Sequence, residues 1–401
     1  MFNLELTEQH RMVEKTARDF ALNEVGPRIR DLDRAMNFDA GLLKSMGELG
    51  LMGVCIPEAY GGAGMDYISY GLVCEELEYV DTSLRVILAV HIGLNSLSLL
   101  TWGTEEQKQK YLTPQAKGEK IACFGLTEPN AGTDVVGLES TAVKDGDTYI
   151  LNGEKMWISL ADVADHFLVI AWTDLEKKKR RDHSGLSAFI VERGFEGVST
   201  ASIHGKLGVR AGNTGSISMQ DARVPAANLL GREGEGFKIA MFALDQGRFS
   251  VASGSTGLIR ACRDASVKYA LERTSFGKPI GENQLVKQMI AHMCRDYEMS
   301  RLLWLKAGWL KNKGERNTRE TSLAKWFSCD AAERAAADAV QVYGAYGFSD
   351  EYPVERFYRN SKGASIYEGT REIHTVVQAD YELGFRVDKP IRCQLPPWPF
   401  E

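Results

Sequence analysis

The chain has 401 residues, of which 44% are hydrophobic and 25% are charged, and its formal net charge is −6 at pH 7. This length predicts two or three domains, and the composition is typical of a globular protein. The acidic balance gives no reason to expect nucleic-acid binding, and no apolar run is expected to reach the ~18–20 residues that span a membrane.

The first ten residues, MFNLELTEQH, are acidic and polar, and they have the pattern of neither a secretory signal nor a transit peptide. The seven cysteines are dispersed without a CxxC pair, which is typical of reduced thiols in a cytosol-like compartment. We therefore expect a cytoplasmic protein; a mitochondrial-matrix location would require a presequence that has been removed. The seven histidines show no ligand spacing, so no metal site is expected, and His91 is expected to pack or to line a pocket.

Residues 1–120 are predicted to form an N-terminal helical domain, because apolar residues recur at helical spacing from about residue 5. Leu72, Val73 and Leu77 belong to one such helical face. Asp81 follows this face as the expected N-cap of a new helix.

Residues 121–235 are predicted to form a β-domain, because short apolar runs bounded by Gly, Asp and Asn replace the helical spacing. The predicted strands cover 148–151, 167–172 and 186–191. The basic run at 177–181 lies between two of these strands and is expected to be a solvated hairpin loop.

Residues 236–385 are predicted to form a C-terminal helical bundle, with long amphipathic stretches at 236–272, 283–313 and 318–343. The tail at 386–401 is rich in proline, which excludes a helix. Its aromatic residues leave two alternatives open, docking on the protein or a neighbouring subunit, or a mobile tail.

Separated motifs then occur in a fixed order along the chain. They are FGLTEPNAGTD at 124–134, NGEKMWIS at 152–159, DQGR at 245–248, ERTSFG at 272–277, QVYGAYG at 341–347 and IYEGT at 366–370. In this order and at this spacing they resemble the acyl-CoA dehydrogenase family, from about residue 5 to about residue 385.

The resemblance implies an α+β fold with an N-terminal helical domain, a middle β-domain and a C-terminal four-helix bundle. It also implies α,β-dehydrogenation of an acyl-CoA with FAD as cofactor, electron-transferring flavoprotein as electron acceptor and a homotetrameric assembly. The chain has no convincing GxGxxG after a strand, which argues against a dinucleotide bound in Rossmann fashion.

Glu368 lies between an aromatic residue and a glycine. Burial against apolar surface raises a carboxylate pKa by up to ~3–5 units, toward the value that a base needs near neutral pH. The pentapeptide alone is equally compatible with an ordinary glutamate beside a turn glycine. In the resembling family, some members carry their base on the helix predicted at 236–272 and have Glu where this chain has Gly247. The resemblance therefore implies that Glu368 is the α-proton base.

The resemblance further implies a flavin site built from two chains. On one chain the flavin contacts would be Phe124, Leu126, Thr127, Gly132, Thr133, Trp157, Ile158, Ser159, Thr370 and Glu372. A second subunit would contribute Arg273, Phe276, Gln284, Gln341, Gly344 and Ala345. Many relatives have Thr at the position of Ser159 and Gly at the position of Ala345; both changes are small.

The resemblance places Asp245 and Arg248 on the CoA side of the substrate. Tyr367 would line the acyl pocket, and Gly369, which has no Cβ, would let the substrate approach the backbone closely. The backbone N–H of Glu368, together with a flavin ribityl hydroxyl, would polarise the thioester carbonyl.

The segment at 78–85 has a close counterpart in glutaryl-CoA dehydrogenases, where the arginine holds the distal carboxylate of the substrate and the glutamate lies near it. Glu78 and Arg85 are therefore expected to recognise a second carboxylate. A structural alternative is an Asp81–Arg85 ion pair, worth roughly 0.3–0.5 kcal/mol. Ala89 stands where those enzymes can have a serine contact.

The predicted substrate is therefore an acyl-CoA with a second carboxylate, either glutaryl-CoA or a substituted succinyl-CoA such as benzylsuccinyl-CoA. The alternative is a neutral short-chain, branched or cyclic acyl-CoA. Two further alternatives are an acyl-CoA oxidase and a non-catalytic flavin-binding protein.

Overall fold

The computed structural model describes residues 5–388, and the first part of it is helical. Its helices are α1 (Glu8–Phe20), α2 (Ile29–Ala35), α3 (Gly41–Glu48), α4 (Tyr67–Val80), α5 (Thr82–Leu88), α6 (Leu97–Trp102), α7 (Glu105–Gln107) and α8 (Thr113–Ala116). The predicted N-cap before α5 is confirmed, because the Asp81 side chain accepts the N–H of Ser83. The Asp81 cap and the buried face of α4 fix the direction in which α5 enters the core.

A π-helical segment, Ala89–Ser96, joins α5 to α6, so the chain runs as one helix over Thr82–Trp102. This helix is long and apolar enough to cross a membrane, although 89% of its most apolar window is buried inside the fold. The segment is interrupted by Arg85, His91 and Asn95, so it is a buried core helix and not a clear membrane span. Packing within the protein core accounts for the apolar character of this helix.

The middle part of the chain forms an eight-stranded mixed sheet. Its strands are β1 (Ala122–Gly125), β2 (Thr141–Asp145), β3 (Thr148–Ser159), β4 (His166–Trp172), β5 (Leu186–Glu192), β6 (Val198–Ser202), β7 (Thr214–Pro225) and β8 (Leu229–Leu230). Their order is β6-β7-β3-β2-β4-β5-β8, and β1 pairs in parallel with β4. Every residue of β4 is buried, which is typical of a strand covered on both faces.

The long strand β3 is irregular where it pairs with β7. The pairing register shifts between Lys155 and Ile158, and Trp157 has a φ of 63°. A bulge of this kind bends a strand and redirects a side chain. It turns the indole of Trp157 toward a cavity, where 57% of the residue is exposed.

The first three residues of the basic run, 177–179, belong to a short helix, and Arg180 and Arg181 follow it in a turn. This helix, α9 (Leu175–Lys179), lies between β4 and β5 and begins at the N-cap Asp174. Lys179, Arg180 and Arg181 are exposed. The predicted exposure at the end of the run is confirmed, and the predicted absence of regular structure is wrong for 177–179.

The last part of the chain is helical. Its helices are α10 (Gly236–Glu272), α11 (Gln284–Asn312), α12 (Thr318–Tyr343), α13 (Val354–Ala364) and α14 (Arg371–Glu382), and the short strands β9 (Thr274–Ser275) and β10 (Lys278–Pro279) form a hairpin between α10 and α11. Helix α10 packs against α4, α11 and α12. It therefore connects the N-terminal helices to the C-terminal bundle, as the predicted α+β fold requires.

The cysteines that the structure describes, Cys55, Cys74, Cys123, Cys262, Cys294 and Cys329, are free thiols. Residues 5–388 contain no group of three or more potential metal ligands. His91 is fully buried and binds the Gln115 carbonyl and the Ala122 N–H, so it packs as expected. Residues 389–401, with most of the predicted proline-rich tail, lie outside the described residues.

Candidate active site

A cavity of about 640 Å³ lies between the helix that contains α5, the sheet and the loop that follows α13. The sequence-predicted site residues that line it are Arg85, Phe124, Leu126, Thr127, Trp157, Ile158, Ser159, Tyr367 and Glu368. Residues as far apart in sequence as Arg85 and Glu368 thus line the same cavity.

Glu368 lies in the loop between α13 and α14 and has a φ of 56°. The next residue, Gly369, has a φ of 97°, a left-handed conformation that glycine adopts without a Cβ clash. Thr370 then caps α14 by accepting the N–H of Ile373. This turn directs the Glu368 carboxylate into the protein, where Oε2 is buried and has no hydrogen-bond partner among the described residues.

Burial raises the pKa of the Glu368 carboxyl above its ordinary value, and the nearby cations Arg85, Lys325 and Arg248 oppose this effect. Gly247 on α10 makes room for the carboxylate, because a Cβ built there would overlap Glu368 Oε2. The loop therefore supplies a buried carboxylate at the point where α10 has no side chain. A carboxylate with a raised pKa and an unused oxygen can accept a proton from a ligand.

Two buried cations hold the backbone of this turn. Arg248 Nε donates to the Glu368 carbonyl over 3.1 Å, and Arg248 Nη1 donates to Asp245 over 2.9 Å. Lys325 Nζ donates to the Gly369 carbonyl over 2.7 Å. Arg248, which the resemblance places on the CoA side with Asp245, thus supports the backbone of Glu368 directly and Asp245 does so through Arg248, and neither lines the cavity.

Sequence reasoning missed Lys325 and His374. Lys325 is buried on α12, in line with the buried Thr321 and Cys329, so a lysine on the core face of a helix was a readable signal. His374 lies under Gly369 and shares a hydrogen bond of 2.8 Å with Ser322. Burial, with the cations Lys325 and Arg248 adding to it, lowers the pKa of His374 to about 2.

Arg85 and Glu78 form a buried ion pair beside the cavity. Arg85 Nε donates to Glu78 Oε2 over 2.6 Å, and Thr82 donates to the other carboxylate oxygen over 2.9 Å. Arg85 Nη2 donates to the Tyr367 hydroxyl. Burial disfavours the charged form of Arg85 and by itself would lower its pKa. The neighbouring Glu78 carboxylate nevertheless holds the pKa of Arg85 well above its ordinary value. Gly254 on α10 leaves space for this pair, because a Cβ there would overlap Glu78 and crowd Arg85.

The proposed Asp81–Arg85 ion pair does not form in the structure. Asp81 instead accepts hydrogen bonds from Arg356 and Asn360, each over 3.0 Å. Arg85 is fully buried, whereas its neighbour Ala89 does not line the cavity. The alternative of a weak surface pair therefore does not explain Arg85.

The cavity wall opposite Arg85 is formed by the 124–134 loop and by β3. Lys155 is fully buried and donates to Glu128 over 2.6 Å and to the Leu126 carbonyl over 3.2 Å. The Met156 N–H donates to the Thr127 carbonyl over 2.9 Å. These bonds fix the loop against the bulge of β3. Gly132 and Thr133, further along the loop, do not line the cavity.

A second group of predicted residues does not line this cavity. It comprises Arg273, Phe276, Gln284, Gln341, Gly344 and Ala345, together with Thr370 and Glu372 at the start of α14. Arg273 lies over the Tyr346 ring at 5.8 Å, so the ends of α10 and α12 adjoin each other. Phe276 is 97% exposed. The predicted flavin residues of one chain thus divide into those that line the cavity and those that do not.

The chain matches the domains of acyl-CoA dehydrogenases over most of its length: the N-terminal domain at 7–119, the middle domain at 123–222 and the C-terminal domain at 234–380. It is 41% identical to the short-chain-specific acyl-CoA dehydrogenase of Clostridium acetobutylicum, over 93% of this chain and 97% of that protein.

Among solved structures, it resembles a glutaryl-CoA dehydrogenase in complex with glutaryl-CoA, with a TM-score of 0.92 and 39% identity over 96% of this chain and 97% of the other. It also resembles a chain from a structure described for the electron transferring flavoprotein of Acidaminococcus fermentans. The TM-score is 0.93 and the identity 42%, over 95% of this chain and 99% of the other.

The fold and its cavity define a flavin-dependent oxidoreductase that acts on thioesters of coenzyme A. The chain belongs to the acyl-CoA dehydrogenase family, whose members are FAD enzymes. The residues present fit such a cofactor. The exposed indole of Trp157 forms a flat apolar wall, and the unpaired Glu368 oxygen lies at the same cavity.

Proposed function

We propose that this enzyme dehydrogenates an acyl-CoA with a second carboxylate, with Glu368 as the base that removes the α-proton. The observation that carries the proposal is that a buried carboxylate with an unpartnered oxygen and a buried arginine line the same cavity. Bound FAD supplies the acceptor for the β-hydride. The two hydrogens leave as a proton and a hydride, and a C=C bond forms between the α- and β-carbons.

The residues proposed to hold FAD on this chain are those of the loop and the bulged strand. Leu126 and Thr127 would contact the ring edge, and Trp157, Ile158 and Ser159 would cover one of its faces. The remaining predicted contacts, Phe124, Gly132, Thr133, Thr370 and Glu372, complete the set proposed for one chain. The hydrogen bonds of Lys155 to this loop support the idea of a preorganised site.

Arg85 is proposed to bind the distal carboxylate of the substrate. Two of its nitrogens are engaged, Nε with Glu78 and Nη2 with Tyr367, whereas no hydrogen bond of Nη1 occurs within residues 5–388. A guanidinium with a remaining donor suits a planar carboxylate. Glu78 and the Tyr367 hydroxyl orient the group, so Glu78 acts through Arg85. Glutaryl-CoA and substituted succinyl-CoA thioesters such as benzylsuccinyl-CoA are the proposed substrates.

A neutral short-chain, branched or cyclic acyl-CoA is the second candidate. Val86, Val90, Leu94 and Leu244 give the cavity an apolar wall that suits a hydrocarbon chain. The similarity to a short-chain-specific dehydrogenase favours the same candidate.

Electron-transferring flavoprotein is proposed as the electron acceptor, and the likeness to a chain from such a structure supports this partner. Steady turnover with NAD alone, or fast release of peroxide in air, would contradict the proposal. A cytoplasmic location is proposed as well, and the bacterial origin of the Clostridium relative supports it.

The flavin site is further proposed to need a second copy of the chain, in a homotetramer. Arg273, Phe276, Gln284, Gln341, Gly344 and Ala345 would reach the cofactor of the neighbouring subunit. The separation of these residues from the cavity supports this assembly. Phe276 is 97% exposed, and such high exposure of a large apolar side chain is typical of an interaction surface.

The test is an anaerobic screen in which acyl-CoA thioesters are mixed with the flavin-loaded enzyme and the loss of visible flavin absorbance is timed. Dicarboxylic thioesters should bleach the flavin faster than butyryl-CoA. Arg85→Met should weaken binding of the dicarboxylic substrate by about 2–5 kcal/mol, which is the cost when a desolvated charge pair loses one partner. The same variant should process a neutral thioester no worse than wild type does.

Glu78→Gln is the matched control, because it removes the counter-charge and keeps Arg85. Its preference for the dicarboxylic substrate should persist. Equal losses for both thioesters in Arg85→Met, or a wild-type preference for butyryl-CoA over every dicarboxylic thioester, would make the neutral candidate correct. Absence of bleaching with every thioester would point to a non-catalytic flavin protein, and rapid oxygen consumption would point to an oxidase.

A further inference from the structure

The turn that carries Glu368 lies over a buried lysine whose charge has no carboxylate partner within the described residues. Lys325 is 1% exposed, and residues 5–388 offer it no ion pair within 4.0 Å. Its side chain donates a hydrogen bond to an uncharged group, the Gly369 carbonyl, over 2.7 Å. A buried ammonium group without a counter-charge is unfavourable, so this lysine calls for an explanation beyond packing.

The other cations near Glu368 are already neutralised. Arg85 on α5 pairs with Glu78 on α4 over 2.6 Å, and Arg248 on α10 pairs with Asp245 over 2.9 Å. Lys325 on α12 differs from both, because the anion available to it is Glu368 itself. An ionised Glu368 and Lys325 would therefore compensate each other's charge across the turn.

Glu78 also acts on the carboxylate but is paired with Arg85, and three further titratable groups nearby carry no positive charge near neutral pH. Burial raises the pKa of the Tyr70 hydroxyl on α4 and of the Tyr367 hydroxyl. His374 on α14 is held neutral, since burial lowers its pKa to about 2. None of these three groups can supply the positive charge that an ionised Glu368 requires.

We propose that Lys325 is a positioning residue that supplies the counter-charge for ionised Glu368 and fixes the Gly369 carbonyl behind it. The proposal rests on the proposed function of Glu368 as the base. Lys325 touches neither substrate nor cofactor, because it does not line the cavity. It acts through the backbone of the turn and through the electrostatic field at the carboxylate, and its charge lowers the pKa that burial raises.

The kinetic test measures how fast an excess of substrate bleaches the bound flavin at a series of pH values. It compares the flavin-loaded wild type with Lys325→Met, Lys325→Gln and Lys325→Arg. The base works in its ionised form, so the rate rises with pH as Glu368 loses its proton. Without the lysine charge the midpoint of this rise should move to higher pH in the Met and Gln variants. It should return toward the wild-type value in Lys325→Arg, which keeps the charge.

At high pH the Met and Gln variants should lose far less than the ~10²–10⁴-fold that removal of a general base costs, since Glu368 remains. Lys306→Met is the matched control, because Lys306 is an exposed cation on α11 paired with Glu320. It should leave the midpoint unchanged. A uniform loss at every pH with an unchanged midpoint would mean that Lys325 has only a structural role, and would overturn the proposal.

Thermal unfolding gives a second measurement that does not depend on turnover. Near neutral pH and above, Lys325→Met should lower the unfolding temperature more in the wild-type background than in Glu368→Gln, where there is no carboxylate charge to compensate. Equal decreases in both backgrounds would overturn the proposal. The proposal would also be overturned if Lys325→Met and Lys325→Gln failed to bind flavin while Lys325→Arg bound it, because the lysine would then serve folding alone. A wild type that no thioester bleaches would instead refute the function proposed for Glu368.

Discussion

Glu368 is a carboxylate that the fold keeps out of water without giving Oε2 a hydrogen-bond donor among the described residues. Its pKa is raised by burial, and its side chain occupies space that Gly247 leaves empty. These properties suit a base that must be able to take up a proton near neutral pH. They also make the ionised form costly to the folded state, which leads to a prediction on stability as well as one on rate.

Glu368→Gln should bind FAD and acyl-CoA but lose at least ~10²–10⁴-fold in the rate of flavin reduction, because the amide keeps the shape of the side chain without its basicity. Stopped-flow bleaching measures this rate. Near-normal turnover would show that the base lies elsewhere.

The same variant should unfold at a higher temperature than wild type near neutral pH. Since the pKa of Glu368 is raised in the folded protein, the folded state binds the proton more tightly than the unfolded chain does. Its ionisation therefore lowers stability as pH rises through the raised pKa. The advantage of the Gln variant should shrink as pH falls toward the ordinary range of a glutamate, and calorimetry over pH measures it. An advantage that is the same at every pH would contradict this sign.

Gly247→Ala should impair the enzyme although it adds only a methyl group. The new Cβ would overlap Glu368 Oε2, so the carboxylate or α10 must move. Overpacking of this kind typically costs ~1–3 kcal/mol. Gly194→Ala is the control, because a Cβ at Gly194 would have open space around it and the residue has no positive φ. Flavin bleaching should fall sharply in Gly247→Ala and remain near wild type in Gly194→Ala.

At the scale of elements, the bulge of β3 and the 124–134 loop form one unit through the Lys155–Glu128 ion pair. Lys155→Met should weaken flavin retention and lower stability by about 3–5 kcal/mol, because it leaves Glu128 buried without its partner. The double variant Lys155→Met with Glu128→Gln should recover part of that loss. Thermal unfolding and the fraction of bound flavin measure both effects; a double variant that is worse by the sum of two independent losses would contradict the coupling.

The long helices and the main strands were predictable because their apolar spacing is regular over many residues. The stretch predicted at 318–343 coincides with α12 (Thr318–Tyr343), and part of each motif at 124–134, 152–159 and 366–370 lines one cavity. The short helix α9 was missed, since a run of lysines and arginines has no apolar face to reveal it.

The support of the base was not predictable from local sequence. Lys325 reaches the Gly369 carbonyl across 44 positions, and the pairing of Arg85 with Glu78 rather than Asp81 depends on space that Gly254 on another helix leaves free. Contacts of this kind depend on tertiary packing, which a linear pattern does not contain.

At the scale of the whole molecule, the flavin contacts proposed for a second subunit do not line the cavity, and among them Arg273 lies where α10 ends. Arg273→Ala should therefore weaken flavin retention and assembly together, because a ligand bound only by the assembled form stabilises that form. Light scattering gives the mass of the assembly, and absorbance gives the bound flavin. Arg263→Ala, on the same helix and paired with Asp264, is the control and should change neither. A fully flavinylated monomer would contradict the proposed assembly.

The lack of room at position 247 also constrains how such an enzyme can evolve. A lineage that moved its base from the loop to α10 would have to place a side chain where the Glu368 carboxylate now lies. We expect either substitution made first to impair the protein. The two sites should therefore show strong sign epistasis. Gly247→Glu and Glu368→Gly should each be deleterious alone, while the pair together should recover measurable dehydrogenation.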